Sequence, residues 1–134
     1  MKWRTAIKNN EFEVTAQITI KLTEEDIDDI MCAALEGGVT AIWCSKVEVC
    51  GDYLGEYASE QISRGGELWF HDREEDAWYK LTRKKFFEGF KRWVESGGDI
   101  YDAVTGGKVD TCNIDAMCAD AIIQYALFGD VIYG

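Results

Sequence analysis

Three of the four glycine pairs in this proline-free chain, Gly37-Gly38, Gly65-Gly66 and Gly97-Gly98, each follow a stretch that reads as helix. Glycine is the common residue just past a helix end, where the backbone turns left-handed. The pairs therefore predict helix stops and divide the 134 residues into short blocks of local structure. They do not read as phosphate loops, which precede helices and need another spacing. Typical proline usage is about 5%, so its absence excludes proline-rich linkers. The length is that of one domain.

Within the blocks, hydrophobic period assigns the elements. Residues 1–10 are basic and aperiodic and read as a flexible leader, leaving 11–134 as a single domain. Phe12, Val14, Ala16, Ile18, Ile20 and Leu22 alternate with polar residues, the pattern of a strand with one buried face. Thr23 then caps a helix, with Asp26 in the capping-box position and Glu24 and Glu25 favouring its positive end. Ile27, Ile30, Met31, Ala34 and Leu35 form the stripe of that helix, and Gly37-Gly38 is its expected stop. Val39 to Cys50 reads as β again, and Asp52 to Arg64 as a helix with a weakly marked start. Glu67–Asp72 and Ala77–Leu81 flank an acidic turn and predict a hairpin. Thr82 caps a helix with the stripe Phe86, Phe87, Phe90, Trp93 and Val94, although Arg83, Lys84 and Lys85 sit unfavourably at its start. A last, deeply buried helix runs from Ile114 to Leu127, with Val131-Ile132-Tyr133 as a closing strand. The expected architecture is α+β, a mostly antiparallel sheet with about three to four helices on one face.

Charge restricts the function classes. The chain carries 25 acidic against 14 basic side chains, a net charge of -11, yet 47% of its residues are apolar and 13% aromatic. That composition folds, unlike a disordered acidic tail. A compact acidic domain repels nucleic acid and anionic membrane and is drawn to basic protein surfaces. No apolar run approaches the ~18 residues of a membrane span, and the N-terminus lacks a hydrophobic signal region, so a cytoplasmic location is expected. Five cysteines, an odd number, fit a reducing compartment with unpaired thiols.

The candidate site residues follow from clustering. Glu24, Glu25, Asp26, Asp28 and Asp29 place five carboxylates in six positions, and Glu74 and Glu75 with their neighbours form a second acidic point at the hairpin tip. Glu24, Glu25, Asp28, Asp29, Glu74 and Glu75 are the candidate partner contacts, by imitation of a run of phosphates; a solvated helix face has the same composition. Cys44, His71, Cys112 and Asp115 are the provisional ligands of a zinc ion, since zinc takes four such donors in a tetrahedron. None of them forms a tight Cys-x2-Cys knuckle, and free structural thiols are the alternative. Catalysis has little support: any Cys-His nucleophile must use the single His71, and its sequence neighbours suggest no activation. No enzyme activity is expected. The cluster Arg83, Lys84, Lys85, Lys91 and Arg92 reads as the wet side of its helix, and whole-chain repulsion opposes nucleic-acid binding. Tyr53, Leu54 and Tyr57, set among glycines and acids, suit a protein-binding patch and equally a half-buried helix.

Two longer stretches carry a resemblance. The run Gly51-Asp52-Tyr53-Leu54-Gly55-Glu56-Tyr57-Ala58-Ser59-Glu60-Gln61-Ile62-Ser63-Arg64-Gly65-Gly66, with Asn113-Ile114-Asp115-Ala116 and Ile122-Ile123-Gln124-Tyr125-Ala126-Leu127-Phe128-Gly129, resembles small acidic proteins from phages and mobile elements of Firmicutes. The likeness spans about Ala16 to Gly134. In size, charge and origin the chain is also similar to anti-CRISPR proteins, which inhibit type II RNA-guided nucleases by binding the protein; one such class holds zinc. The resemblance implies an inhibitor that docks on a basic nuclease surface and blocks DNA loading or cleavage, and it carries over no catalytic motif. The alternative is a zinc-stabilised structural or regulatory domain.

Overall fold

The computed structural model describes residues 10–134, and residues 1–9 of the expected leader lie outside the described residues. Helix α1 (Glu24–Ala33) starts at the expected cap. The Thr23 hydroxyl accepts from the Asp26 N–H and the Asp26 carboxylate accepts from the Thr23 N–H, both at 3.0 Å. These bonds satisfy two groups that a helix start otherwise leaves without partners. Ile27, Ile30 and Met31 are its buried face.

The first glycine pair is a kink rather than a stop. A wide turn over Ala34–Gly38 carries the chain directly into α2 (Val39–Ile42). A Cβ on Gly38 would lie 2.7 Å from the Ala116 carbonyl oxygen, so glycine is needed here for close approach to the last helix. Beyond it, fully buried Val39 and Trp43 draw the chain on into the core. The β expectation over Val39–Cys50 therefore holds only for β1 (Cys44–Val49).

Strands β2 (Leu68–Asp72) and β3 (Ala77–Leu81) form the expected hairpin, and β1 pairs with β2 to give an antiparallel sheet of order β1-β2-β3. The β1–β2 register shifts between Cys44 and Lys46, leaving Ser45 as a bulged residue. Helix α3 (Arg83–Glu95) begins at Thr82, whose hydroxyl accepts from the Lys85 N–H at 3.2 Å. A two-stranded ribbon, β4 (Val104–Thr105) and β5 (Lys108–Val109), interrupts the loop before α4 (Ala116–Phe128). Helices α3 and α4 pack closely at Gly89, where a Cβ would meet the Ile122 carbonyl oxygen at 2.6 Å. Trp43 lies fully buried among aromatic rings, 5.1 Å from Phe128, 6.1 Å from Tyr133 and 6.2 Å from Phe70. The fold is α+β, as the element pattern predicts.

Three other expectations are corrected. The alternating segment from Phe12 to Leu22 forms no strand: Phe12, Val14 and Ile18 are exposed, and only Ile20 and Leu22 reach the core. Alternation specifies a face, but a strand also needs a ladder, and only the Lys21 N–H to Gly107 carbonyl bond, at 2.8 Å, ties this segment to β4–β5. Asp52–Arg64 is a loop with one short 3-10 turn at Ala58–Glu60; Gly51 and Gly55, at φ +81° and +78°, stand outside any helix. Val131–Tyr133 pairs with no strand among the described residues, and a glutamine side chain takes its backbone groups instead. No helix among the described residues is long and apolar enough to cross a membrane.

Candidate interaction surface

The loop from Gly51 to Gly66 owes its shape to two side chains. Gln61 is fully buried; its Oε1 accepts from the Leu54 N–H at 2.9 Å, and its Nε2 donates to the carbonyls of Leu54 at 2.7 Å and Tyr57 at 2.9 Å. Glu60 Oε1 accepts from the N–H groups of Glu56 and Tyr57, each at 2.9 Å. Those two backbone donors hold the Glu60 carboxyl below its ordinary value of 4.5, with further help from Arg64. Backbone groups that a helix or ladder would otherwise satisfy are thus taken locally. The fixed loop presents Tyr53, Leu54 and Tyr57 at 57%, 41% and 64% exposure. The sequence left this stretch between patch and half-buried helix; the structure makes it an exposed aromatic loop.

Of the six candidate carboxylates Asp28 touches the loop, and the six do not act alike. The Ser63 hydroxyl donates to Asp28 at 2.5 Å, tying the loop to α1. The Thr111 hydroxyl donates to Asp29 at 2.8 Å, tying α1 to the turn before α4. Asp28 and Asp29 thus each fasten α1 to a neighbouring segment. Glu24 and Glu25 stay exposed on the first turn of α1, with no ion pair among the described residues. At the hairpin tip Glu75 accepts from the Tyr79 hydroxyl at 3.1 Å, and Glu74 is exposed. Buried Asp72 shapes that tip, accepting from the Glu74 N–H at 2.9 Å and from the Tyr133 hydroxyl at 2.7 Å. The tyrosine's bond to a carboxylate pushes its own ionisation well above the ordinary 10.

Arg73 fixes the tip beside the end of α2, its N–H donating to the Trp43 carbonyl at 3.1 Å and its Nη2 to the Ile42 carbonyl at 2.8 Å. Glu24 and the tip thus lie at the two ends of the kinked helical stretch that runs from α1 to α2.

The provisional zinc ligands have other partners. Cys44 is buried with its thiol donating to the Lys46 carbonyl at 3.3 Å, and burial pushes its pKa up, against the thiolate that zinc requires. The His71 ring uses both nitrogens, Nδ1 toward the Ser45 hydroxyl at 2.5 Å and Nε2 toward the Asp76 carboxylate at 2.7 Å. Cys112 is exposed in the turn Thr111–Asn113, and Asp115 caps α4 by accepting from the Cys118 N–H at 2.8 Å. Among the described residues no three His, Cys, Asp or Glu side chains converge as a metal site. The structure does not bring the four together as one ligand set.

Sequence reasoning missed the buried polar residues. Asp120 accepts from the Trp43 indole N–H and from Gln124 Nε2, each at 2.8 Å. Gln124 Oε1 in turn accepts from the N–H groups of Ile132 and Tyr133, each at 2.9 Å. Burial raises the Asp120 pKa, and its two hydrogen bonds partly offset the rise. The available signal was an Asp and a Gln four residues apart inside an apolar helix, where unpaired polar groups are costly. Ser45 and Asp76 were missed because a bulge and a turn, rather than sequence proximity, bring them to His71.

No family model matches the chain, and neither the curated proteins nor the solved structures contain a significant match to it.

Proposed function

We propose that the protein acts by binding another protein through the aromatic loop at Tyr53–Tyr57, with Glu24, Glu25 and Glu74 steering it onto a basic surface. The observation that carries this reading is the loop itself: Tyr53, Leu54 and Tyr57 are exposed on a backbone held by Gln61 and Glu60. Exposed aromatics on a pre-ordered backbone cost little further entropy on association, and tyrosine is a frequent anchor at interfaces. Carboxylates near such an anchor accelerate encounter with a cationic partner.

The partner we propose, following the resemblance, is a type II RNA-guided nuclease in the cytoplasm of a bacterial host. Such nucleases hold guide and target in positively charged channels, and a bound acidic protein would block DNA loading or cleavage without catalysis of its own. The test is DNA cleavage by a panel of these nucleases, with the protein added before or after target DNA. Inhibition only when it is added first identifies a block of loading; inhibition in either order identifies a block of cleavage. Tyr53→Ala with Tyr57→Ala should abolish inhibition in a folded protein, and Glu24→Lys with Glu25→Lys should weaken it most at low salt. Absence of both inhibition and binding across the panel would overturn the nuclease assignment.

A further inference from the structure

The geometry around His71 points to a second capability, and we propose that Ser45 is a nucleophile for activated esters, with His71 as its general base and Asp76 as the residue that sets the ring. Three separate pieces of chain build this arrangement. Ser45 is the bulged, exposed residue of β1, His71 stands on β2, and Asp76 closes the hairpin turn at φ +52°. Bulges re-aim side chains that a regular ladder would space differently. Here the bulge sets the Ser45 hydroxyl 2.5 Å from His71 Nδ1, while Asp76 lies 2.7 Å from Nε2.

Donor and acceptor roles follow from the carboxylate. An ionised Asp can only accept, so Nε2 must carry the proton it donates to Asp76. In the neutral ring this leaves Nδ1 bare, and the Ser45 hydroxyl must donate to it. That is the proton inventory of a serine nucleophile with its base and its positioning carboxylate, with the two ring nitrogens in exchanged places. Trp78, paired with His71 from β3, stands 4.9 Å from the ring and is 43% exposed, giving an apolar surface on the β3 side of the imidazole for an aryl or short acyl group. Because 91% of the Asp76 side chain is exposed, water shares its charge. The activation suits an ester with a good leaving group rather than an amide.

In the proposed step, Ser45 Oγ attacks the ester carbonyl carbon as its proton passes to Nδ1. The C–O bond to the leaving group breaks, and the proton on Nδ1 goes to the departing oxygen. Water then attacks the acyl carbon, gives its proton to Nδ1, and the acid leaves as the proton returns to Ser45 Oγ. The net reaction is ester hydrolysis, with water the only co-reactant.

The experiment treats the full chain with a fluorophosphonate probe, locates the adduct by peptide mass spectrometry, and follows p-nitrophenyl acetate turnover in parallel. An adduct on Ser45, lost in Ser45→Ala and at least tenfold slower in His71→Gln, is expected. Asp76→Asn keeps a residue that tolerates positive φ, so it should fold with an unchanged melting temperature. It should lower kcat for the acetate ester by tenfold or more and leave KM unchanged. No Ser45 adduct above the level of other serines would overturn the proposal, as would ester turnover at the native rate in folded Ser45→Ala, or native rates of labelling and turnover in folded Asp76→Asn.

Discussion

The loop at residues 51–66 and the segment at residues 12–22 invert each other. The segment has the strongest secondary-structure pattern in the chain and forms no strand, with Phe12 and Val14 more than nine-tenths exposed. The loop has almost no regular pattern, yet Gln61 and Glu60 hold five of its backbone hydrogen bonds. The difference is where the backbone groups go. A side-chain period says which face of a strand would be buried, but order comes only when N–H and C=O groups find partners. The loop finds them in its own side chains. The C-terminal residues 131–133 follow the loop's solution, with Gln124 in the part of Gln61.

The largest break in this comparison is Gln61→Ala. It leaves the Leu54 N–H and the carbonyls of Leu54 and Tyr57 without this partner, and opens a void at a fully buried position. A loss of about 3 kcal/mol in chemical denaturation is expected, from three part-buried hydrogen bonds worth about 1 kcal/mol each together with the packing lost at Gln61. Binding through Tyr53 and Tyr57 should fall with it.

Asp120→Asn sharpens the same comparison at the C-terminal clamp. Trp43 and Gln124 donate to different oxygens of Asp120, and the amide replaces one of those oxygens with an NH2 that cannot accept, so about 1–2 kcal/mol should be lost at neutral pH. The pH dependence has a fixed sign. Burial raises the folded pKa of Asp120 above the ordinary 3.8, so its contribution is full in acid and declines as pH rises through the folded value. Denaturation midpoints of the native chain should show that decline, and the Asn variant should not.

Legibility in the sequence follows the same division. The Thr23 and Thr82 caps, the stripes of α1 and α3, and the hairpin at Leu68–Leu81 were readable because each rests on contacts within a few residues or on one buried face. The kink at Gly37-Gly38 was not, because its cause is the approach of Ala116, far away in sequence. Of the proposed contacts, Tyr53 and Tyr57 were visible as aromatics among glycines, but their exposure depends on Gln61. Asp28 and Asp29 looked like free acids because Ser63 and Thr111, their partners, are distant in sequence. The same reason hid Ser45 from His71, whereas Asp76, five residues from the ring, was hidden because the hairpin turn aims its side chain back at it.

Glu60→Gln probes the loop more gently. The amide keeps an oxygen for the N–H groups of Glu56 and Tyr57 but not the charge. In the native chain those donors depress the Glu60 pKa, so its support of the loop is present above the ordinary 4.5 and is lost as pH falls through the lower folded value. Tyrosine fluorescence of the native loop should change across that acid range, and the Gln variant should be flat there.

The smallest effect is expected where the pattern is strongest. Phe12→Ser with Val14→Ser removes two large apolar side chains from the alternating segment, and in any sheet it would cost several kcal/mol. Here the two are 91% and 92% exposed, so the change should stay within about 0.5 kcal/mol in chemical denaturation. A loss of about 2 kcal/mol would show that the alternating face is buried in solution after all. The contrast with the loop would then vanish, because both regions would owe their order to partners that the side-chain period alone does not name.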